Sequence, residues 1–324
     1  MKHLVARTRL FLCLLMCLPI SGFAQANWPN QPVRFVIPFP GGSTPDAMMR
    51  LLGDYLSKRW GQPVVVDNRP GASGVIGMKT ILAAPANGYT FGFVQGSAIS
   101  IVPSTIKDVG YDYERDFAPV ILASVSPLLL AVPFNSPYHT LDDLLKSAKT
   151  KAESVEVADP GQATTPHLAA ALLGIKSGAR FLHVHFQGGP QALQSLIGGQ
   201  TQAQIEGYNV FAPMVQSGRI RILASLGDRV EPGLESIPLA SATVPEAVAY
   251  GWFGVVARKG TEASVISRLN RDFAIALREP EIVAKAREFG VYPRPSSPED
   301  LDSHIARDRK HWDSVLKTLN IQVK

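Results

Sequence analysis

The stretch FVIPFPGGSTPDAMMRLL, Phe35 to Leu52, begins with the pattern of a strand and ends with that of a helix. Thr44 is suited to cap the helix, and Pro45 is suited to its first turn, where a missing N–H costs nothing. Gly41 and Gly42 allow a sharp turn that would expose backbone N–H groups at the positive end of the helix dipole. The junction therefore predicts an anion site, with a plain strand-to-helix turn as the alternative.

The same arrangement occurs twice more in the chain. The stretches VEVADPGQATTPHLAAALL, Val155 to Leu173, and FLHVHFQGGPQALQSLI, Phe181 to Ile197, each read strand, glycine-containing loop, proline and helix. Ligands of open α/β sheets gather at the carboxyl ends of strands, where these loops lie. The Gly-Lys-Ser/Thr of a phosphate loop and the dinucleotide glycine spacing are both absent, so a carboxylate is the better candidate ligand.

Short β-branched runs alternate with helical patterns along the chain, which predicts an α/β fold with mainly parallel sheets. The predicted strands are 33–39, 64–66, 90–94, 120–123, 128–132, 155–157, 182–186, 203–205, 220–225 and 253–257. The predicted helices are 46–59, 141–149, 167–173, 191–197, 264–278, 280–288 and 298–319.

Two apolar stretches, near residues 124–140 and 251–261, are candidates for strands that cross between two domains. In that case residues 128–253 form the second domain, and residues 27–127 and 254–324 join to form the first. The first junction then lies in one domain and the other two lie in the second. Closure of the two domains would enclose an anion between opposed helix N-termini.

Residues 1–26 have the pattern of a secretory signal peptide, which predicts a periplasmic location for the mature protein. A basic start precedes an apolar run, Leu10–Ile20, that is too short to span a bilayer, and small residues precede the expected cleavage after Ala26. Cleavage removes both cysteines, Cys13 and Cys17, which excludes a disulfide scaffold and a thiol nucleophile. It also removes three of the 32 basic residues and none of the 27 acidic residues, so the formal charge falls from +5 to +2. No nucleic-acid partner is expected.

Ordered motifs match one known family along nearly the whole mature chain. The most distinctive is GQPVVVDNRPGASGVIG, Gly61 to Gly77. The others are WPNQPVRFVIPFPGGSTPD at 28–46, ANGYTF at 86–91, DFAPV at 116–120, HVHFQGGPQAL at 183–193, GGQTQAQIE at 198–206 and SGRIRILA at 217–224. On these motifs the chain resembles the Bug-type extracytoplasmic solute receptors, the binding components of tripartite tricarboxylate transport systems.

The resemblance implies a periplasmic-binding-protein, or Venus-flytrap, fold in which two α/β domains are joined by two crossover strands. It implies a monomer with no cofactor and no enzyme activity, which holds a small carboxylated solute in its cleft and passes it to membrane transporter subunits. Carried over position by position, it indicates ligand contacts from Ser43, Thr44, Asp46, Thr164, Thr165, His167, Gln187, Gly188, Gly189 and Glu206.

The residues themselves add three positions to that set. Gly42 belongs to the loop of the first junction, called the first loop below, and Ser97 is a further donor at the end of another strand. Phe39 either stacks beside the ligand or packs under the loop. Asp46 at a helix start is expected to have a lowered pKa and to stabilise its loop rather than to transfer protons. His167 is expected to be a neutral donor that orients a loop.

Departures from the family pattern bear on the ligand. The loop of the third junction, called the third loop below, differs from the family pattern at two positions. His185 stands where the family often has proline, and Gln187 stands where it often has lysine. The missing lysine weakens the case for a highly charged tricarboxylate. Glu206 would repel a carboxylate. It either pairs with a nitrogen of the solute or is a solvated acid outside the pocket. His183 and His185 share one strand face, but no nearby acidic cluster or cysteine completes a metal site, so no metal is expected.

Two other functions stay open beside that of a transport receptor. A sensory subunit that presents ligand-bound closure to a membrane partner would share the same fold and pocket. A secreted serine hydrolase would need Ser43, His167 and Asp46 to form a triad. The chain lacks the Gly-x-Ser-x-Gly motif that usually positions such a serine, which counts against the hydrolase.

Overall fold

The structure, a computed structural model, describes residues 28–319, and from Gln31 onward these residues make up one compact unit. The predicted signal peptide, residues 1–26, lies outside the described residues. Across residues 28–319, none of the helices combines the length and apolar character that a membrane span requires.

Strands and helices alternate along the described chain, as the sequence predicts. The strands are β1 (Val33–Ile37), β2 (Val64–Asn68), β3 (Thr90–Gln95), β4 (Phe117–Pro133), β5 (Glu156–Asp159), β6 (Leu182–His185), β7 (Ala203–Gly207), β8 (Ile220–Ser225), β9 (Tyr250–Arg258) and β10 (Tyr292–Pro293). The helices are α1 (Thr44–Trp60), α2 (Val75–Ala83), α3 (Gly96–Ser100), α4 (Val102–Thr105), α5 (Tyr113–Asp116), α6 (Leu141–Thr150), α7 (Thr165–Ser177), α8 (Gly189–Ile197), α9 (Tyr208–Gln216), α10 (Ala263–Ala276), α11 (Pro280–Glu288) and α12 (Pro298–Leu319). Short 3₁₀ turns occur at Ala72–Gly74 and Ala240–Ala242.

A curled sheet with strand order β2-β1-β3-β9-β4-β7-β5-β6 organises these elements, and β8 and β10 also pair with β4. β1 pairs in parallel with β2 and β3, and β5 pairs in parallel with β6 and β7. The pairings of β9 with β3 and β4, and of β4 with β7 and β8, are antiparallel. The sheet is therefore mixed rather than mainly parallel, with two parallel groups connected through β4 and β9.

The 17-residue strand β4 joins the two groups. Its first part, as far as Pro127, pairs with β9, and its second part, from Leu128, pairs with β7 and β8. The sequence predicted two separate strands here because prolines interrupt the β-branched pattern. In the structure Pro127, which lies between the two predicted strands, pairs with Tyr250, and the register with β9 shifts between Pro119 and Ile121 and between Leu122 and Ser124. The proposed domain boundaries, near residues 127 and 253, stay a prediction.

Strand β1 places the first loop because both of its faces are buried. Phe35 has no exposed surface, and its ring lies 5.6 Å from that of Phe91 and 5.5 Å from that of Phe273, measured between ring centroids. A strand covered on both faces reads as a continuous apolar run rather than an alternating one. This packing fixes the point at which the chain leaves β1 and turns into α1.

Five helices were missed at the sequence level: the short α3, α4 and α5, and the two nine-residue helices α2 and α9. The α2 sequence VIGMKTILA is rich in residues that also favour strands and contains Gly77. Gly77 packs directly on Pro38, since a methyl group there would lie 2.5 Å from the Pro38 Cα atom. Helix α9 contains Pro213, which a sequence pattern treats as a helix breaker. Tertiary packing overrides local preference in both.

Candidate functional site

A cavity of about 290 Å³ lies at the carboxyl ends of β1, β2, β5 and β6. The loops that follow these four strands supply its wall, together with Ile106. The wall residues are 38–40, 70–74, 160–163 and 185–188. The two parallel groups of the sheet therefore meet at one cavity, and the three strand-to-helix junctions that the sequence singled out all contribute to it.

The first loop is held by its own side chains. Ser43, rather than the predicted Thr44, is the N-cap residue of α1, and its Oγ donates to the carbonyl of Pro40 at 2.7 Å. The Asp46 carboxylate accepts a hydrogen bond from Arg50 at 3.0 Å. Burial would raise the pKa of Asp46, but hydrogen bonds from Arg50 and the first-loop backbone outweigh it and lower that pKa. Asp46 therefore stabilises the loop, as expected.

All three junctions satisfy one loop N–H group in the same way. In each, the side chain immediately after the proline accepts a hydrogen bond from the backbone N–H four residues earlier. The donor and acceptor pairs are Gly42 with Asp46 at 2.9 Å, Ala163 with His167 at 3.1 Å, and Gln187 with Gln191 at 2.8 Å. The expectation that the first-loop glycines expose their N–H groups is therefore wrong for Gly42.

The loop between β2 and α2 is a fourth part of the wall that sequence reasoning did not assign to the site. Ala72 and Ser73 have left-handed φ angles of 47° and 54°, and Ala163 across the cavity has 61°. Three of the six non-glycine residues with positive φ in residues 28–319 thus line this one cavity. Such residues cost about 1–3 kcal/mol each and cluster at ligand sites. The available signal was Gly71 and Gly74, which flank the pair before a helix.

Direct contacts join loops on opposite sides of the cavity. The Oγ of Ser73 donates a hydrogen bond to the carbonyl of Gln162. Gly188 abuts Pro40 so closely that a methyl group at position 188 would lie 2.4 Å from the Pro40 Cγ atom. The φ angle of Gly188 is +128°, a backbone conformation that residues with a side chain rarely adopt.

The loop between β5 and α7 is also internally bonded. Thr164 is the N-cap residue of α7; its Oγ1 donates to the carbonyl of Gly161 at 2.7 Å and accepts from the N–H of His167 at 3.5 Å. The hydrogen bond from Ala163 to Nδ1 of His167 leaves the proton of the neutral ring on Nε2. Burial lowers the pKa of His167 to about 3, so the ring is neutral as predicted. It orients its loop as an acceptor, not as a donor.

His185 and Asp159 form a hydrogen-bonded pair at the cavity wall. The Nδ1 atom of His185 lies 2.9 Å from each carboxylate oxygen of Asp159, which is fully buried and also accepts from the N–H of Gly161 at 2.9 Å. The hydrogen bond with Asp159 raises the pKa of His185, while partial burial opposes the rise. Burial raises the pKa of Asp159, and its hydrogen bonds with His185 and Gly161 limit that rise. The pair therefore holds a proton more firmly than an isolated histidine.

The carboxylate of Asp159 also lies close to His167 and His183, where the sequence predicted no acidic group. One ligand-type atom of each lies within 4.8 Å of the others, a spacing that would accommodate a metal ion. Metal ligands must present a free lone pair. The bond from Ala163 leaves a proton on Nε2 of His167, and the Asp159 carboxylate is already engaged by His185. We therefore assign the cluster to hydrogen bonding.

Glu206 lies beneath the third loop and outside the wall of the cavity. It is buried, its Oε1 accepts from the N–H of Gly207 at 2.8 Å, and a methyl group at Gly189 would lie 2.5 Å from its Oε2. Burial raises the pKa of Glu206 to about 7 despite that hydrogen bond. Glu206 is therefore not a solvated acid, and its pairing with a solute nitrogen stays a prediction.

The remaining predicted contacts divide between the wall and the layer behind it. Phe39, Gln187 and Gly188 line the cavity. The others lie outside the lining: Gly42, Ser43, Thr44, Asp46, Ser97, Thr164, Thr165, His167, Gly189 and Glu206. The buried hydroxyls of Thr44 and Ser97 have no hydrogen-bond partner within the described part of the chain. Ligand contact by these residues stays a prediction.

Known proteins share both the sequence and the fold. The family described as the tripartite tricarboxylate transporter family receptor matches residues 48–321. A UPF0065 protein of Bordetella bronchiseptica is 32% identical over 98% of this chain and 94% of its own length. Protein BugT of Bordetella pertussis is 30% identical over 98% of this chain and 99% of its own length.

Solved structures of binding proteins also match this chain in fold and in sequence. A structure of R. palustris Rpa4515 with adipate is 31% identical, with a TM-score of 0.88 over 92% of this chain and 100% of that one. A periplasmic transporter is 26% identical, with a TM-score of 0.87 over the same shares. The periplasmic binding protein BugD, at 24% identity and a TM-score of 0.85 over 92% of this chain and 100% of its own, supports the fold.

The periplasmic-binding-protein fold expected from the sequence is thus confirmed. The matched family and these structures are binding proteins and not enzymes, which removes the hydrolase. In agreement, the Oγ of Ser43 is bonded to a backbone carbonyl and Nδ1 of His167 accepts from a backbone N–H. The chain belongs to the tripartite tricarboxylate transporter receptor family and is a solute-binding receptor of the Bug type.

Proposed function

We propose that this receptor captures a small carboxylate-bearing solute in the cavity between its four loops and delivers it to a tripartite tricarboxylate-type transporter in the membrane. The observation that carries the proposal is the cavity at the carboxyl ends of two groups of parallel strands, with an imidazole on its wall. Its volume of about 290 Å³ is near the lower end of the ~300–1,000 Å³ typical of ligand sites, which suits a small solute.

The wall offers donors for one acid group and apolar surface for the rest of the solute. The N–H groups of Gln162 and Gly188 have no intramolecular acceptor within residues 28–319, so they remain available to a ligand. Phe39, Phe186 and Ile106 supply apolar contacts. The related Rpa4515, whose structure contains adipate, supports a solute that combines a carboxylate with a hydrocarbon body.

Delivery to a transporter rests on the family to which the chain belongs and on the predicted signal peptide. Cleavage near Ala26 would release the mature receptor into the periplasm as a monomer. There it would bind its solute and present it, enclosed, to the membrane subunits.

A thermal-shift comparison of acids with their amides tests the binding proposal. We expect at least one of hexanoate, adipate, succinate and benzoate to raise the unfolding temperature, because a ligand at 100 times its Kd adds about 2.7 kcal/mol of stability. Hexanamide, adipamide, succinamide and benzamide, which match these acids in shape, are expected to leave the temperature unchanged. Equal shifts for acids and amides, or no shift with any acid, would contradict the proposal.

A further inference from the structure

We propose that His185, held by Asp159, is the cationic partner of the solute carboxylate, so that binding above the pKa of this imidazole takes up one proton. This inference rests on the proposed function. It assigns the charge recognition to a residue that was not among the ligand contacts expected from the sequence.

The composition of the wall makes His185 the candidate. Among the described residues that line the cavity, it alone has a titratable side chain; the rest are proline, glycine, alanine, serine, glutamine, phenylalanine and isoleucine. A carboxylate that enters such a cavity loses much of its hydration and needs a compensating charge. The other lining residues of the same loop are Phe186, Gln187 and Gly188, so that loop supplies no second cation to the wall.

The orientation of the His185 ring determines in which protonation state it can bind a carboxylate. Nδ1 of His185 faces the buried carboxylate of Asp159, and 35% of the His185 side chain remains exposed. With a proton on Nδ1, the neutral ring presents a lone pair at Nε2, which repels a carboxylate. The protonated ring presents an N–H donor at Nε2 and a positive charge. Asp159 thus acts as a positioning residue, and the protonated form of His185 is the one that binds the acid.

Three other titratable groups pack around this pair. His167 on α7, whose ring centroid lies 4.7 Å from that of His185, and His183 on β6 have pKa values lowered by burial to about 3 and about 4. Both are therefore neutral throughout the neutral and alkaline range. Glu206 on β7 interacts with Asp159 and has a pKa of about 7, so it is a rival source of pH dependence near neutrality.

The sign of the expected pH dependence follows from the protonation of the free receptor. The pKa of His185 lies above its ordinary 6.5. Below that pKa the ring is already protonated, and the affinity for an ionised acid is constant. Above it, each solute that binds must bring a proton to the ring, so Kd rises by about tenfold per pH unit. The rise ends at the higher pKa that the ring has in the complex.

Calorimetry from about pH 6 to about pH 9 tests the inference, using the acid with the largest thermal shift among hexanoate, adipate, succinate and benzoate. We expect the wild-type receptor to show this rise in Kd. Repetition in buffers of different ionisation enthalpy should show uptake of about one proton on the alkaline side. His185→Gln is expected to bind about tenfold more weakly near pH 6 and to lose the dependence on pH. His311→Gln, an exposed histidine on α12 outside the cavity wall, is the matched control and is expected to keep it.

Two further measurements separate His185 from its neighbours. The NMR signal of the His185 ring in the wild-type protein is expected to titrate at higher pH when the acid is bound, a readout that does not depend on how a variant folds. Asp159→Asn is expected to move the onset of the rise in Kd to lower pH.

The outcomes that overturn the inference are distinct from failure of the proposed function. A pH dependence that persists in His185→Gln and is lost in Glu206→Gln would transfer the role to Glu206. Binding of the acid without proton uptake in the wild-type receptor would also overturn the inference, while leaving the proposed function standing. If no acid binds at any pH, the proposed function fails and this inference fails with it.

Discussion

Gly188→Ala is expected to weaken binding of the carboxylate solute by about tenfold or more. A methyl group at position 188 would lie 2.4 Å from the Pro40 Cγ atom, a separation at which one of the two loops must move. Overpacking of this kind costs about 1–3 kcal/mol. Because Gly188 and Pro40 belong to loops from different parallel groups of the sheet, the cost falls on the conformation that encloses the solute.

The left-handed backbone of Gly188 adds a second cost that needs a control. An alanine at this φ angle is strained whether or not the solute is bound, so the strain reduces the stability of the protein rather than the affinity. Gly199 also has a positive φ, +73°, and a methyl group there would have no atom within 4 Å. Gly199→Ala should therefore lower the unfolding temperature without changing Kd. Calorimetric titration of both variants decides the point, and an unchanged Kd in Gly188→Ala would show that this contact plays no part in enclosure.

Glu206→Gln is expected to make the solute-free protein more stable above neutral pH. The folded-state pKa of Glu206, about 7, lies above its ordinary 4.5. The folded protein therefore retains a proton that the unfolded chain loses across that interval, and the stability falls as the pH rises through it. Above about pH 7 the buried carboxylate is charged, at a cost of up to about 3 kcal/mol. A neutral glutamine avoids that cost and can still accept the hydrogen bond from Gly207.

Urea unfolding at about pH 5 and about pH 8 measures this effect. The stability advantage of Glu206→Gln over the wild-type protein should be small at the lower pH and should grow at the higher one. Glu281→Gln, an exposed position on α11, is expected to change stability by less than about 0.5 kcal/mol at both. A Glu206→Gln protein that is less stable than the wild type at about pH 8 would mean that the carboxylate has a favourable partner in the folded state.

The three junctions were predictable because their signals are local. Each combines a strand, a glycine turn and a proline at the start of a helix within a short stretch of chain. The same local reading failed to show that the residue after each proline, such as Asp46, accepts a hydrogen bond from its own loop. The sequence therefore placed the cavity correctly but attributed more free N–H groups to its wall than the structure provides.

The conformation of the fourth loop could not be predicted, although its glycines gave a signal, because it depends on contacts distant in sequence. Ala72 and Ser73 adopt left-handed conformations beside Gly74, whose missing side chain lets Pro38 approach, with a methyl group there lying 3.3 Å from the Pro38 Cβ atom. No local propensity favours that conformation for alanine or serine. The pairing of His185 with Asp159 was missed for a related reason. The two residues are brought side by side by the register of β6 on β5, which the sequence does not specify.

A crystal structure of the receptor with the acid that gives the largest thermal shift tests the central claim most directly. The acid is expected inside the cavity of about 290 Å³, with a carboxylate oxygen within hydrogen-bond distance, about 2.7–3.2 Å, of Nε2 of His185. A hollow of about 690 Å³ between α9 and α11, near Tyr208 and Arg287, is the alternative location. An acid bound in that hollow, with none in the cavity between the four loops, would contradict the account.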